Sequence, residues 1–330
     1  MKILFIFEHY APPFDEGIKN FAHMVGTTLA NDHEIRIASD ITSIPTLFNR
    51  LLLIPRLFLI ASSWRPDRIV YIPEGALTFF GCLKAWILGK LFLHRISTVN
   101  VQKRELLSWQ KTIIKKLHIT GVFSLSASMA TGLEKINIKS QVIYAGIDRD
   151  RFSPGDNLTV LKNRIGIPDD RPVILHVGHI RKSRNIEWLK EIQENCPRVQ
   201  TVLVGSTTTT QESSLARQLE ESGVIVIKET LPAIQAVYQI ATWYLFPVIL
   251  SDAAMEIPLS VLEAMSTNLP IITTPFGQLP DLFTEDRYFK YVDNLNDVLA
   301  ILMEEAPINC NNREKTQDFT WHRTAQLLIE

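Results

Sequence analysis

The sequence predicts an α/β protein made of two doubly wound parallel sheets, and three observations predict it. At 330 residues the chain exceeds the roughly 250–300 residues at which a single core stops growing. Short apolar runs recur along its whole length, each followed by a stretch with helical spacing. The recurrence pauses once, at the polar stretch Arg151–Pro172, rich in Pro, Gly, Asp and Asn, which reads as a linker and a helix start. A hydrophobic content of 46% supplies ample material for cores and excludes a disordered or fibrous chain.

In the first half the apolar runs are Ile3–Phe7, Ile35–Ala38, Arg68–Ile72, Ile96–Val101, Val122–Ser126 and Val142–Tyr144. Continuous runs, rather than strict alternation, are the pattern of strands buried on both faces. Between the first two, Gly17–Ala30 places Phe21, Val25 and Leu29 on one helical face. The second half repeats the scheme with Val173–Val177, Thr201–Val204, Val224–Ile227, Tyr244–Phe246 and Ile271–Thr273. Alternation of strand and helix implies parallel sheets covered by helices on both faces. Such domains bind ligands outside the carboxyl ends of their strands, and two facing each other enclose a cleft.

The 34 Lys and Arg residues against 35 Asp and Glu leave a net charge of −1, which argues against a protein built to coat nucleic acid. Cys82, Cys196 and Cys310 are odd in number and widely spaced, so neither a disulfide framework nor a zinc cluster is expected, and the compartment reads as reducing and cytoplasmic. Met1–Phe7 is too short for a secretory core and runs into Glu8 and His9. Leu47–Ala61 is broken by Arg50, Pro55 and Arg56, and Ala76–Leu93 by Lys84 and Lys90. Both read as amphipathic or core-packing segments rather than membrane spans.

Three strand-end segments carry chemistry. The loop Glu8–Gly17 lacks both the G-x-G-x-x-G turn of dinucleotide folds and the P-loop pattern, which disfavours hydride transfer and P-loop ATP hydrolysis. Gly17 at a helix start admits an anion to backbone amides, or serves simply at a helix cap. The segment His176–Asn185 crowds His179, Arg181, Lys182 and Arg184 into a loop that leaves a strand and enters a helix. Forked guanidinium donors match phosphate oxygens, and the following helix adds its positive end; the other reading is a solvated basic loop. In Met255–Ser266, Pro258 suits a helix first turn and Asn268 its carboxyl end. Glu263 then sits about one turn in, where its carboxylate would accept bonds from a pair of sugar hydroxyls or face solvent.

Taken in this order the segments resemble the retaining GT-B glycosyltransferases of family 4, the glycosyl transferases group 1, over essentially the full chain. Pro12, Pro13 and Gly17 match that family's first loop. Gly146-Ile147-Asp148 and Phe152-Ser153-Pro154 match its interdomain link, with Ala145 replacing Asn. Gly178 matches the donor-diphosphate loop, with His179 standing for its Arg and Arg184 for its Lys. Glu263-Ala264-Met265, Pro270 and Gly277-Gln278-Leu279-Pro280 match the carboxyl-terminal signature. The first of the two signature glutamates falls on Met255, with Glu256 one residue late, and Asn100 occupies the place of a common histidine.

The resemblance implies a cleft between two Rossmann-like domains, residues 1–152 on the acceptor side and 153–317 on the donor side, with helix 318–330 crossing back to the first. It implies transfer of a sugar from a nucleoside diphosphate to an acceptor hydroxyl of a glycan, a lipid-linked compound or a small molecule, with no cofactor and no metal. Arg184, Glu256 and His179 take the catalytic roles. Gly17, Gly178, Arg181, Lys182, Ile257, Leu259, Ser260 and Glu263 bind the donor, Glu263 through the ribose hydroxyls. His9 and Asn100 are candidates on the acceptor side. Met255 and Asn100 also motivate a rival: a catalytically silenced relative that binds nucleotide sugar or serves as a partner subunit. Finally, Lys103–His118 sets a basic face beside Leu106, Trp109, Ile113 and Leu117, which suits either packing on its own sheet or peripheral contact with the inner face of a membrane.

Overall fold

Every apolar run of the first half becomes, or overlaps, a strand: β1 (Lys2–Phe7), β2 (Glu34–Ala38), β3 (Arg68–Ile72), β4 (Ile96–Asn100), β5 (Val122–Ser124) and β6 (Ser140–Val142). The structure, a computed structural model, describes residues 1–8, 10–39, 55–60, 62–73, 77–93, 95–102, 105–155, 162–163, 165–168, 170–206, 212–304 and 309–330. It divides into two compact units, Met1–Gly146 with Thr320–Glu330, and Ile147–Phe319.

The first unit carries a parallel sheet of order β2-β1-β3-β4-β5-β6. The interior strand β1, between β2 and β3, is fully buried from Ile3 to Phe7, which explains its unbroken apolar run. Helix α1 (Gly17–Asp32) lays Phe21, Val25 and Leu29 on the core. Helices α2 (Phe79–Leu91), α3 (Ser108–Ile114) and α4 (Ala127–Glu134) follow β3, β4 and β5.

The second unit carries β7 (Val173–Gly178), β8 (Gln200–Gly205), β9 (Ile225–Ile227), β10 (Trp243–Phe246), β11 (Ile271–Thr273) and β12 (Phe289–Tyr291), in the order β12-β11-β10-β7-β8-β9. Its helices are α5 (Glu187–Asn195), α6 (Ser213–Glu221), α7 (Gln235–Ile240), α8 (Leu259–Ser266), α9 (Leu279–Leu282) and α10 (Leu295–Met303). The last helix, α11 (Trp321–Leu327), belongs to the first unit, where Trp321 meets Phe21 of α1 edge-on at 5.8 Å. Thr324 Oγ1 donates to the Tyr144 carbonyl at 2.6 Å and fixes that helix in place.

Some sequence expectations shift. Strand β6 begins at Ser140 rather than Val142, because Ser140 pairs with Val122 and its hydroxyl bonds to that of Ser124 at 2.8 Å. Strand β12 was not expected. It is the edge of its sheet, and of its three residues only Phe289 is fully buried, so its apolar signal is weak. The helix expected over Lys103–His118 is confined to Ser108–Ile114, after which Lys116 and Leu117 bond three residues back and close a tight turn. Lys103 and Arg104, and most of Leu47–Ala61, lie outside the described residues. The polar stretch Arg151–Pro172 lies within the second unit and sends Phe152 and Ile167 into its core.

One polar anchor holds β12 to the chain that follows. Asp286 accepts from the amides of Tyr288 and Phe289, both at 2.8 Å, and from Lys315 Nζ at 2.7 Å. Burial pushes its carboxyl up, but Lys315 and the two amides outweigh it and hold the carboxyl below its ordinary value of 3.8. The charged form is therefore favoured by folding, and this contribution is present above the ordinary value and lost as pH falls through the depressed one. Asp286→Asn should cost about 1 kcal/mol at neutral pH, screened as the pair is, and lower Tm by roughly 2–4 °C. In acid below the depressed value the variant and the parent should melt together.

Candidate functional site

In the second sheet the neighbours β7 and β10 lead away in opposite directions, to β8 and to β11. Crossovers that part in this way leave a crevice beyond the carboxyl ends of the two strands. Around it the sequence places Gly178 and Arg184 after β7, the segment Met255–Ser260 after β10, and Gly277 after β11.

Arg184 closes the short 3₁₀ turn Lys182–Arg184, and the next residue, Asn185, takes a left-handed conformation with φ 56°. That turn folds the guanidinium back over the end of β7. A Cβ added at Gly178 would lie 2.6 Å from Arg184 Nη1 and 3.1 Å from His176 Nε2, so only glycine lets the two groups approach the strand. Arg184 is 9% exposed. Its titratable neighbours are the Tyr244 phenol, neutral because burial raises its pKa, and a second cation, Arg181, and among the described residues no carboxylate pairs with it. Burial lowers its pKa from 12.5 to about 10. A buried guanidinium without an acid partner costs stability, a cost that pairing with an anion would offset.

His176 is fully buried beneath it, with Nδ1 2.9 Å from the Leu245 carbonyl and, among the described residues, no partner for Nε2. Burial drives its pKa down to about 3, with Arg184 and His179 acting in the same direction. The ring is therefore neutral, donates from Nδ1, and presents an unshared acceptor at Nε2 beside Gly178. Between its ordinary value of 6.5 and about 3 the unfolded chain takes a proton that the folded chain refuses, so stability falls as pH drops through that window. His176→Phe should flatten this part of a Tm-against-pH curve, and curves that stay parallel to the parent's would contradict a neutral buried ring.

A row of stacked rings runs under the crevice. His176 lies 6.4 Å from Tyr244, and Tyr244 lies 5.8 Å from Tyr238. Each phenol ties down a separate piece. Tyr244 bonds to the Val177 carbonyl and to the Ser260 side chain, and Tyr238 donates to Glu263 Oε2 at 2.6 Å. Burial raises the Glu263 carboxyl, while the bond from Tyr238 pulls it back. One oxygen of Glu263 is thus held and the carboxylate is oriented on α8.

Helix α8 starts after Pro258, with no side chain capping its first turn, so the amides of Leu259 and Ser260 have no acceptor within the helix. The loop before it is fixed from the other side. Gly277 has φ 55°, and a Cβ there would lie 2.3 Å from the Glu256 carbonyl, which accepts from the Gln278 amide at 3.0 Å. Glu256 itself is buried, as are Met255 and Ile257; the Ile257 side chain is part of the core and leaves only its backbone for a ligand.

The structure thus sets Arg184 over Gly178 and links them through the row of rings to Ser260 and Glu263, while Leu259 opens α8 and Glu256 lies in the buried segment before it. The other cations of the loop differ from Arg184 in burial: Arg181, near enough to act on its guanidinium, and Lys182 are exposed, and His179 is partly buried. Gly17 opens α1 in the first unit. Asn100 is buried there, with Oδ1 accepting the Leu77 amide at 3.1 Å, a bond that holds the loop before α2. His9 lies outside the described residues. Sequence reasoning missed His176, Tyr238 and Tyr244; the signal was available as polar-tipped residues inside otherwise apolar strand and helix runs, since buried polar groups need partners.

Comparison with known proteins places this geometry. Residues 171–301 match the family model described as Glycosyl transferases group 1. The chain is 24% identical over 298 residues to the sulfoquinovosyl transferase SQD2 of Arabidopsis thaliana, covering 82% of this chain and 57% of that one. It is 24% identical over 210 residues to a D-inositol 3-phosphate glycosyltransferase of Geodermatophilus obscurus, covering 58% of this chain and 46% of that one. The chain therefore spans about half the length of these curated relatives. Among solved structures, sucrose-phosphate synthase from Thermosynechococcus elongatus superposes with a TM-score of 0.78 at 16% identity, over 98% of this chain and 96% of that one. Anabaena Alr3699/HepE in complex with UDP-glucose superposes with a TM-score of 0.75 at 14% identity, over 99% and 98%. The fold is that of the GT-B glycosyltransferases, and residues 171–301 are similar to the group 1 family model.

Proposed function

We propose that this chain moves a sugar from a nucleoside diphosphate to an acceptor hydroxyl, with retention at the anomeric carbon. The observation that carries the proposal is the buried, acid-free Arg184 guanidinium over Gly178. A diphosphate seated there supplies the missing counter-charge. At an effective dielectric near 20, one opposite charge about 4 Å away is worth roughly 4 kcal/mol before desolvation. That interaction strengthens as the glycosidic bond breaks, because negative charge grows on the departing phosphate while the sugar becomes oxocarbenium-like. The acceptor oxygen bonds to the anomeric carbon, the bond to the diphosphate breaks, and the acceptor's proton leaves with the phosphate. The amides of Leu259 and Ser260 at the positive end of α8 add donors to the same charge. Glu263 holds the ribose hydroxyls, and Glu256 faces the transferred sugar in place of the missing glutamate at Met255. Arg184 and the helix end serve the role that a metal would otherwise take. HepE, a neighbour in fold, was solved with UDP-glucose, which supports a donor of this class.

A second reading keeps the binding and drops the chemistry. Met255 is a buried apolar residue at the first signature position, and it motivates a silenced subunit that only holds a nucleotide sugar. Incubation with a panel of UDP-, GDP- and ADP-sugars, followed by nucleotide release and NMR of the product's anomeric configuration, separates the two. Release of nucleotide with retention, lost in Glu256→Ala, supports transfer; donor binding with no release by the parent protein supports the silent form.

A further inference from the structure

Helix α2 is apolar over most of its circumference, interrupted only by Lys84 and Lys90, which an ordinary surface helix is not. Its inward side carries Cys82, Ala85 and Leu88 into the core of the first unit. Its outward side carries Phe80, which is 71% exposed, and, eleven residues and about 17 Å farther along nearly the same face, the exposed Leu91. Phe79 links this face to α3: its ring lies 5.6 Å from Phe80 and 5.2 Å from Trp109. Trp109 is 55% exposed, Leu107 61%, and Ile113 is exposed beside them. Beyond Leu91 the surface continues into a groove of about 290 Å³ lined by Phe58, Leu91 and Leu93 together with Arg65 and Arg95.

The charge on this surface is one-sided. Helices α2 and α3 carry Lys84, Lys90 and Lys111 and no Asp or Glu, in a chain whose net charge is −1. Lys84 is neutralised by Glu8, but Lys90 on α2, Lys111 on α3, and Lys115 and Lys116 just after α3 are exposed. Large exposed aromatics and exposed lysines on the same two helices and the turn after them, with no carboxylate on either helix to repel an anion, match the chemistry of an anionic bilayer surface: rings enter the headgroup boundary and ammonium groups meet lipid phosphates.

We propose that the α2–α3 face of the first unit docks the protein on an anionic lipid bilayer, with Phe80, Leu107, Trp109 and Ile113 inserted and Lys111, Lys115 and Lys116 on the phosphates. This stands apart from the donor crevice, which lies in the other unit, and does not depend on the glycosyl-transfer reading.

Co-sedimentation of the full chain with vesicles of phosphatidylcholine alone, and with vesicles in which phosphatidylglycerol replaces a third of it, tests the proposal. Binding should be strong on the anionic vesicles, at least about tenfold weaker on the neutral ones, and suppressed by salt. The triple replacement Lys111→Gln, Lys115→Gln, Lys116→Gln should weaken it about a hundredfold, at roughly fivefold per lysine. Phe80→Ser with Trp109→Ser should also release the protein, although the charges remain. These side chains are exposed, and an unchanged melting temperature shows that the variants are folded. Equal sedimentation with both vesicle types, absence of binding to either, or binding that neither variant weakens would overturn the proposal. So would a dimer in sedimentation velocity that Phe80→Ser dissolves, since a second copy would then cover this face.

Discussion

Replacing Arg184 by methionine is expected to reduce turnover by roughly 10²–10³-fold, the usual consequence of deleting one charged donor aimed at a developing anion. The same variant should leave the unliganded protein as stable as its parent, or more stable. Burial lowers the guanidinium pKa from 12.5 to about 10. Folding at neutral pH therefore carries a cost on the order of 3 kcal/mol for keeping that charge out of water, and the cost is relieved only as pH rises past the lowered value. Methionine fills much of the same space without the charge, so Tm should stay level or rise by several degrees. A purely structural arginine behaves in the opposite way: its loss lowers Tm and spares catalysis. Measuring both quantities on one preparation separates the two roles, and a destabilised but active Arg184→Met protein would contradict the account.

Gly277→Ala is expected to be the most damaging single-methyl change in the donor loops. The residue sits at φ 55°, and the added Cβ would lie 2.3 Å from the carbonyl oxygen of Glu256, a backbone atom that no side-chain rotation can move away. The left-handed conformation costs a non-glycine residue roughly 1–2 kcal/mol, and overpacking of a fixed neighbour adds about 1–3 kcal/mol. A loss of roughly 2–5 kcal/mol should lower Tm by about 5–15 °C. Because the displaced atom belongs to Glu256, kcat should also fall at temperatures where the variant is fully folded. Gly178→Ala offers the contrast. There the added methyl would meet the far end of the Arg184 side chain at 2.6 Å, which yields by swinging away, so function should suffer more than stability. If Gly277→Ala melted with the parent, the Glu256 segment would not be held as described.

Much of this was legible in the amino-acid order, and what was not has physical reasons. Continuous apolar runs exposed ten or more strands because parallel strands buried on both faces have no polar side to interrupt them; β12 escaped because an edge strand buries only Phe289 fully. The crowd of cations after β7 suggested an anion site, and Arg184 was set apart from Arg181 and Lys182 only by its place in a family motif; composition and spacing did not distinguish the three. That choice is made by the 3₁₀ turn and the left-handed Asn185, which fold one guanidinium inward and leave the other two cations exposed. His176 and Tyr238 were passed over because a polar residue in an apolar run reads as core until its partners, or their absence, are visible. Gly277 was recognised by its place in a motif, whereas the reason for glycine there, the Glu256 carbonyl against its Cα, exists only in three dimensions. Asn100 and Ile257 show the converse: residues selected by alignment to a pattern, one of which turns out to hold a loop and the other to fill the core.

The central claim is that Arg184, over Gly178 and beside the amino end of α8, grips a pyrophosphate. Isothermal titration of the parent protein and Arg184→Met with uridine, guanosine and adenosine mono- and diphosphates tests it directly. The parent should bind at least one diphosphate much more tightly than the matching monophosphate, and Arg184→Met should lose that difference while remaining folded. Equal affinity of parent and variant for every nucleotide, or no heat with any of them, would contradict it.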